Sequence, residues 1–134
     1  MIELIVILIL FLIIDIPVIG YINYNMYKVQ FNRINGEEMN NKYIVLSALI
    51  TYLLLTYGLY NFVVKPNINS DNYIEIFKQG SLLGLIIYGI YNGTNISTIN
   101  KWGLKESLID TLWGTILSGL LSILSIYIIK KIRN

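Results

Sequence analysis

Apolar residues fall in four long stretches separated by short polar segments. The stretches cover residues 4–22, 43–64, 77–98 and 107–129. An α-helix rises about 1.5 Å per residue and the hydrocarbon core of a bilayer is about 30 Å thick, so each stretch is long enough to cross it. The segments between them, NRINGEEMNN, KPNINSDN and NKWGLK, are short and carry turn-forming and charged residues. The pattern predicts an all-α polytopic membrane protein, an antiparallel bundle of four transmembrane helices forming one domain over residues 1–134.

The first stretch and the residues after it leave two points open. MIELIVILIL has Glu3 where a signal peptide carries basic residues, and no small-residue cleavage site follows, so we expect a retained helix. Next, YNMYKVQFNRI places aromatic side chains at helical spacing beside Lys28 and Arg33. That composition suits a segment lying in the membrane interface, and an extension of the first helix fits equally well.

Polar residues gather on one face of the third stretch. At 100° per residue a single sector holds Ser81, Gly84, Tyr88, Tyr91, Asn92, Asn95 and Thr98. In lipid, the apolar face of a helix contacts acyl chains and its small or polar face contacts other helices. We therefore expect this sector to face the interior of the bundle.

The second and fourth stretches carry similar stripes. The fourth has Asp110, Thr111, Gly114, Thr115, Ser118, Ser122 and Ser125 on one flank, and the second has Ser47, Thr51, Gly58 and Asn61. Stripes of small and hydroxyl residues usually pack helices together through close contacts and hydrogen bonds. For these stripes, helix packing is favoured over a substrate pathway.

Asp15 is the strongest single candidate for a functional residue. A carboxylate in the middle of a transmembrane helix costs about 2.5–3.5 kcal/mol even on the lenient insertion scale. Pro17 removes the donor to the carbonyl of Ile13, so we expect a kinked, locally polar backbone there. The alternative is that Asp15 is protonated and only holds neighbouring helices together.

If the helices alternate in direction, the polar residues are expected to lie at a similar depth in the bilayer. Asp15 lies late in the first stretch, Asn92 late in the third and Asp110 early in the fourth, all in the same half of the bilayer. Ser47 and Thr51 belong to that half as well. Two carboxylates in such a site suit binding of a proton, a cation or a substrate. The predicted binding residues are Asp15, Tyr88, Tyr91, Asn92, Asn95, Asp110, Trp113 and Thr115.

The amino-acid composition limits the kinds of metal site and catalytic group that the chain can form. The 134 residues are 55% hydrophobic and 13% charged, and they include neither cysteine nor histidine. Zinc sites of the usual kind, cysteine or serine–histidine nucleophiles and imidazole catalysis are therefore excluded, and we expect no metal and no cofactor. The net charge of +2 is not concentrated in a basic face, which argues against nucleic-acid binding. The expected partners are the lipid bilayer and a second copy of the chain.

The distribution of Lys and Arg residues gives little indication of the orientation in the membrane. Five Lys and Arg residues fall on each side, so the positive-inside rule gives a tie. The compact KKIRN tail favours cytoplasmic termini.

The segment YGIYNGTNISTINKWGLKESLIDTLWGT resembles the signature of an uncharacterised family of four-helix membrane proteins, domain of unknown function 2177. In that signature an aromatic residue, a (D/N)xTN element, a Thr-rich turn, a tryptophan turn and DxxWGT follow one another. FLIIDIPVIG resembles the family's first helix, with Asp15 and Gly20 in place and Val18 where an aromatic is expected, and YGLYNFVVKP resembles the end of the second. The resemblance implies the four-helix fold and brings no established activity. Asn92 stands where many members have Asp.

Three hypotheses follow. The first is an integral membrane protein with a polar pocket that binds or transports a small solute, ion or lipid headgroup, using Asp15 and Asp110. A carrier this small would need to dimerise, and no inverted repeat is evident. The second is a structural membrane component, cellular or viral. The third is a membrane enzyme that modifies lipid, which the missing His and Cys disfavour.

Overall fold

The computed structural model describes residues 1–36 and 42–133, and these residues form helices and turns only. Helix α1 is Ile2–Pro17, followed by a π-helical turn at Val18–Ile22. Helix α2 is Tyr24–Asn35, and α3 is Ile44–Leu59 with a π-helical turn at Tyr60–Val64. Helix α4 is Tyr73–Thr98 and α5 is Leu104–Arg133. The all-α prediction is confirmed. Glu37 and Glu38 of the first predicted linker lie outside the described residues.

Three helical segments of the described chain are long and apolar enough to cross a membrane: Ile2–Ile22, Ile44–Val64 and Leu104–Arg133. The remaining predicted span, residues 77–98, lies within α4, whose 26 residues extend about 39 Å. Glu75, Lys78 and the polar run from Asn92 to Thr98 make α4 less apolar than the other three. Its length alone therefore does not mark it as a transmembrane segment.

Pro17 alters the helix in a way that the sequence only partly predicts. Helix α1 continues through Pro17 and then widens into the π-helical turn, where the Asn23 N–H donates to the Val18 carbonyl at 2.8 Å. A proline cannot donate to the carbonyl four residues before it, so the α-helical hydrogen-bond ladder is interrupted here. The expected backbone irregularity is thus a wider turn that directly follows Asp15.

Helices α4 and α5 form an antiparallel hairpin built on small residues. A methyl group added at Gly80 would lie 2.6 Å from the Ser118 carbonyl oxygen, and one at Gly84 would lie 2.6 Å from the Ser118 Oγ. At the other end of the hairpin, Asn92 of α4 contacts Asp110 of α5. Along α5 the buried small residues are Gly114, Ser118, Gly119, Ser122 and Ser125. Four residues of the predicted stripe on the fourth stretch, Gly114, Ser118, Ser122 and Ser125, are thus buried, as the packing interpretation expects.

The stripe predicted on the second stretch is wrong as an inward packing face. Ser47 and Thr51 are exposed, and no atom comes within 4 Å of the methyl position at Gly58. The Thr51 hydroxyl and the Asn61 amide instead donate to backbone carbonyls four residues earlier in their own helix, at 2.9 and 2.8 Å. These groups therefore need no partner on another helix, and α3 buries Thr56, Leu59, Val63 and Val64 instead.

The apolar core lies in the half of the molecule that contains both termini. It consists of Ile7, Phe11, Leu59, Val63, Val64, Ile76, Leu117, Leu121, Ile126 and Ile129. Glu3 at the start of α1 pairs with Arg133 at the end of α5, and the Phe11 and Tyr52 rings pack edge-on at 6.2 Å. Helix α1 thus runs antiparallel to α5, and the densest packing lies away from α2.

Helix α2 is a separate helix and not an extension of α1. The chain leaves helical geometry at Asn23, where φ is −101° and ψ is 4°, and α2 ends at Gly36, whose φ of 76° favours glycine. Its side chains reach the beginning of α5, where Arg33 pairs with Glu106 at 3.4 Å. The α2 helix therefore lies against the end of the molecule where α4 turns into α5.

Candidate functional site

Asp15 is fully enclosed at the junction of three helices. Its side chain is 2% exposed, and each carboxylate oxygen accepts one hydrogen bond. The Trp113 indole N–H of α5 donates to Oδ1 at 2.8 Å, and the Tyr52 hydroxyl of α3 donates to Oδ2 at 2.8 Å. Two donors on two different helices satisfy both oxygens, so Asp15 links α1 to α3 and α5.

Asp110 lies one helical turn before Trp113 on α5 and has different surroundings. Its Oδ2 accepts a hydrogen bond from the Asn92 amide of α4 at 2.7 Å, and its Oδ1 accepts one from the Tyr27 hydroxyl of α2 at 2.5 Å. Asn92 is buried, and its amide also donates to the Tyr88 carbonyl at 3.0 Å. Asp110 therefore joins α2, α4 and α5, and its own side chain is only partly buried.

Helix α2 is held over this network by several contacts. Besides the Tyr27–Asp110 hydrogen bond, Gln30 accepts from the Gly103 N–H at 3.3 Å, and the Phe31 and Trp102 rings meet edge-on at 6.4 Å. Burial, followed by the hydrogen bond to Asp110, raises the pKa of the Tyr27 phenol above its ordinary value. Tyr27 therefore keeps its proton and remains a hydrogen-bond donor.

A cavity of about 700 Å³ lies between α2, α3, α4 and the start of α5. Its aromatic lining residues are Tyr24, Tyr27, Phe31, Tyr88, Tyr91 and Trp102, and its charged ones are Lys28, Glu106 and Asp110. Ile19, Leu55 and Ile87 supply aliphatic surface, and Thr51 and Asn92 add polar groups. A few polar groups on mostly apolar walls are typical of small-molecule sites.

The cavity exposes one of the two predicted acids. Asp110 and its partners Asn92 and Tyr27 are on the wall, whereas Asp15 is not among the lining residues. Asp15 and Asp110 also form no hydrogen bond to each other, because each carboxylate faces its own pair of donors. The expectation of two carboxylates facing one shared space is wrong, since Trp113 and Tyr52 surround Asp15.

The remaining predicted site residues are divided between the cavity and its surroundings. Tyr88 and Tyr91 line the cavity, and the Tyr91 ring meets Trp102 edge-on at 5.9 Å. Asn95, one turn after Tyr91, and Trp113, which holds Asp15, are not on the wall. The Thr115 hydroxyl donates to the Thr111 carbonyl at 2.7 Å, so it is satisfied within α5 and takes no part in the network.

Sequence reasoning missed Tyr27 and Tyr52, the two phenols that donate to the aspartates. Tyr27 belongs to a segment that reads as interfacial, where tyrosine needs no special explanation. Tyr52 lies beside Thr51 in an otherwise apolar stretch and draws no attention there. One signal could have pointed to them. A buried carboxylate requires hydrogen-bond donors, and a tyrosine in an apolar stretch can supply one.

The described residues hold no group of three or more His, Cys, Asp or Glu side chains placed to bind a metal ion. The groups that the cavity offers to a ligand are the partly buried Asp110 and Glu106 carboxylates, the Lys28 ammonium, neutral donors and aromatic rings. Such a site can hold a ligand by charge, hydrogen bonds and ring contacts.

Comparison with known proteins gives one match. A family model described as a predicted membrane protein (DUF2177) matches residues 1–127, which is nearly the whole chain. No curated protein and no solved structure matches. The matched range includes α2, the cavity and both aspartates.

Proposed function

The chain belongs to the DUF2177 family of predicted membrane proteins, and we propose that it binds a small solute or lipid headgroup in the cavity beneath α2. Asp110 and Asn92 are the polar anchors in this proposal, and the aromatic walls hold the rest of the ligand. One observation carries it: the Asp110 network forms one wall of a cavity of about 700 Å³, in a size range that suits small molecules.

The proposal includes a topology. Helices α1, α3, α4 and α5 each cross the membrane in alternating directions, and α2 lies at the interface. The antiparallel pairing of α4 with α5 supports a crossing by α4, because its buried Gly80, Gly84 and Asn92 face α5 while Leu82, Leu85 and Ile86 remain outside. Both termini then lie on one side, which we propose is cytoplasmic, and the cavity opens toward the other.

Binding is better supported than transport. The half of the molecule beyond Asp15 is filled by core residues that are at most 2% exposed, among them Phe11, Leu59 and Leu121. A transport route across this half would require these side chains to separate, or a second copy of the chain to supply the path. Transport would therefore require this rearrangement or a dimer, whereas binding would require neither.

A structural role is the second candidate, and the α4–α5 seam favours it. Gly80, Gly84, Ser118 and Ser122 pack α4 on α5 at a distance that only small residues permit. This seam lies in the half away from α2, so it accounts for helix packing and not for the cavity. A lipid-modifying enzyme has weaker support, since Asp110 is the only carboxylate on the wall without a cationic partner among the described residues.

The test fills the cavity and compares probes of different charge. Thr51 lines the cavity, and Ser47 lies one turn earlier on the same face of α3 but not on the wall. Purified parent, Thr51→Trp and Ser47→Trp proteins are titrated with choline, its neutral carbon isostere neohexyl alcohol, and the anion tert-butylacetate, with thermal unfolding as the readout.

The proposal predicts that at least one probe raises the unfolding temperature of the parent and of Ser47→Trp, and that Thr51→Trp loses the effect. If none of the three probes stabilises the parent, or if Thr51→Trp responds as the parent does, the cavity is not a binding site and the structural role stands.

A further inference from the structure

We infer that the ligand of the cavity is an organic cation, an ammonium group carrying apolar substituents. The inference rests on the proposed function and adds the chemical class of the ligand. Its basis is the combination of an aromatic lining with a carboxylate, Asp110, that has no cationic partner among the residues that the structure describes.

Three charged residues line the cavity, Lys28, Glu106 and Asp110, and Asp110 is the carboxylate among them that takes part in no ion pair between described residues. Glu106 is paired with Arg33, and none of the ion pairs between described residues includes Asp110. The donors that reach Asp110 are the neutral Tyr27 hydroxyl and Asn92 amide. They fix the position of the carboxylate and bring no positive charge to it. A ligand that brings positive charge completes this wall, whereas an anion would be repelled by it.

Lys28 is the cation nearest to the cavity, and it lies at the exposed rim. Its ammonium is 5.9 Å from the centroid of the Tyr24 ring, within the range of a cation–π contact. An ammonium group thus already lies beside one of the aromatic rings that line this cavity.

The aromatic side chains suit an alkylated ammonium better than a neutral or anionic ligand. Tyr88, Tyr91, Trp102 and Phe31 line the cavity together with Asp110, and the Tyr91 and Phe31 rings each meet Trp102 edge-on. The faces of such rings carry negative charge density and attract cations, and cages of this kind are used for quaternary ammonium groups. An alkylated ammonium is also only weakly hydrated, so moving it onto these walls costs less than moving a metal ion.

Two sources supply this chemistry, namely the headgroup of a choline or ethanolamine phospholipid and a dissolved amine. Both place the same group against Asp110. The cavity lies near the α2 end of the helices, where headgroups and water meet, so its position admits either source. An experiment with two lipid compositions separates them.

The test compares isosteres in the parent and in variants of the wall. We expect choline to bind the parent at least about tenfold more tightly than neohexyl alcohol, a ratio that corresponds to about 1.4 kcal/mol. In Asp110→Asn the two isosteres should bind within about threefold of each other. Tyr91→Leu, which keeps an apolar side chain, should weaken choline about threefold or more with little effect on neohexyl alcohol, and Tyr91→Phe should restore choline binding.

Tyr91 keeps the test falsifiable if Asp110→Asn does not fold, because the Tyr91 side chain is half-exposed at the rim and its replacement leaves the network intact. Equal binding of choline and neohexyl alcohol by the parent, or preference for tert-butylacetate, would overturn the organic-cation inference. If one of those probes still depends on Thr51, the proposed function survives and only the ligand class fails.

Two lipid compositions distinguish a phospholipid headgroup from a dissolved amine as the source of the ligand. Choline binding is measured in nanodiscs of phosphatidylglycerol alone and in nanodiscs that also contain phosphatidylcholine. Competition by phosphatidylcholine assigns the site to a lipid headgroup, and unchanged choline binding assigns it to a dissolved amine. Absence of choline binding in both membranes contradicts the inference.

Discussion

Asp15 and Asp110 share a residue type but differ in what surrounds them. Asp15 has both oxygens bonded to Trp113 and Tyr52 and is not on the cavity wall, whereas Asp110 is partly open to the cavity. A buried carboxylate whose hydrogen bonds connect different helices stabilises the assembly, and one that faces a cavity is available to a ligand. We therefore expect Asp15 to act in folding, and Asp110 is the carboxylate of the proposed binding site.

Replacing Asp15 should lower stability without removing binding. In Asp15→Ala the Trp113 and Tyr52 donors lose their acceptor, and buried donors left unpaired cost about 1–3 kcal/mol each, so we expect a loss of at least about 2 kcal/mol. Asp15→Asn retains one acceptor oxygen and should lose less. The measurement is reversible unfolding in detergent mixtures.

Ile13→Ala is the control for this comparison, because Ile13 is 63% exposed and its truncation should change stability little. Equal stability of the parent, Asp15→Asn and Asp15→Ala would show that the hydrogen bonds of Asp15 contribute nothing. Loss of probe binding in a folded Asp15→Asn protein would move Asp15 into the site.

At this scale the sequence identifies the costly residues better than it identifies their partners. Asp15 and Asp110 stand out because a charged group in an apolar stretch demands an explanation. Their pairing with Tyr52 and Tyr27 depends on how α3 and α2 pack, which no local pattern encodes. The chain contains eleven tyrosines, so residue type alone could not single out these two.

The α4–α5 hairpin divides its length between two tasks. Toward the termini, Gly80, Gly84 and Gly119 allow the helices to come close together, and toward α2 the larger Tyr88 and Asn92 fill the interface and reach the cavity. Tyr88 itself packs over Gly114, where an added methyl group would meet its ring. The small residues thus hold the hairpin, and their spacing fixes where Tyr88 lies.

Alanine substitutions at two glycines of α4 distinguish the effect of helix packing from the effect of helix propensity. A methyl group at Gly84 would lie 2.6 Å from the Ser118 Oγ and would also meet the Gly114 backbone, whereas one at Gly93 meets nothing within 4 Å. We expect Gly84→Ala to destabilise the hairpin by at least about 1 kcal/mol. Gly93→Ala should be neutral or stabilising by up to about 1 kcal/mol, because alanine favours a helix.

Unfolding of the two alanine variants under the same conditions provides the measurement. A Gly84→Ala protein as stable as the Gly93→Ala protein would show that the close approach of α4 and α5 is absent.

Helix boundaries and packing faces differ in how far the sequence predicts them. The four stretches fall within the observed helical segments, apart from Tyr43 at the start of the second, because apolar length is a direct signal. The inward face of α5 follows from its glycines and serines, which would expose backbone to lipid if turned outward. The face of α3 could not be predicted in this way, because Thr51 and Asn61 satisfy their hydrogen bonds within their own helix and carry no preference for the interior.

The whole molecule is organised as a packed half and an open half. The core and both termini occupy the first, and α2, the α4–α5 turn and the cavity occupy the second. This asymmetry predicts a protein that admits ligand from one side of the membrane. The family match supports the membrane setting, and the number of crossings needs a direct test.

The chain contains no cysteine, so single-cysteine variants report topology without background. We expect Ser70→Cys and Arg133→Cys to react with a membrane-impermeant thiol reagent from one side of sealed vesicles. Asn32→Cys and Lys101→Cys should react only from the other side, because α4 separates Ser70 from Lys101 and the α4–α5 turn lies beside α2. Labelling of Ser70→Cys and Lys101→Cys from the same side would show that α4 does not cross.

Overall architecture follows from the sequence because hydrophobic length and short linkers restrict the arrangements that a membrane allows. The open half does not follow in the same way. It exists because the chain changes direction at Asn23, between α1 and α2, and α2 then packs beside Asp110. That arrangement depends on contacts between residues more than 70 positions apart.

The most direct test of the account is whether water-borne cations reach the cavity at Thr51. Thr51→Cys and Leu49→Cys are exposed to a methanethiosulfonate reagent carrying a trimethylammonium group, added from the α2 side. Leu49 lies nearer the start of α3 and is exposed away from the cavity, so depth alone would favour its reaction. The account predicts faster modification of Thr51→Cys, slowed by choline. Modification of Thr51→Cys that is no faster than that of Leu49→Cys, and unaffected by choline, would contradict it.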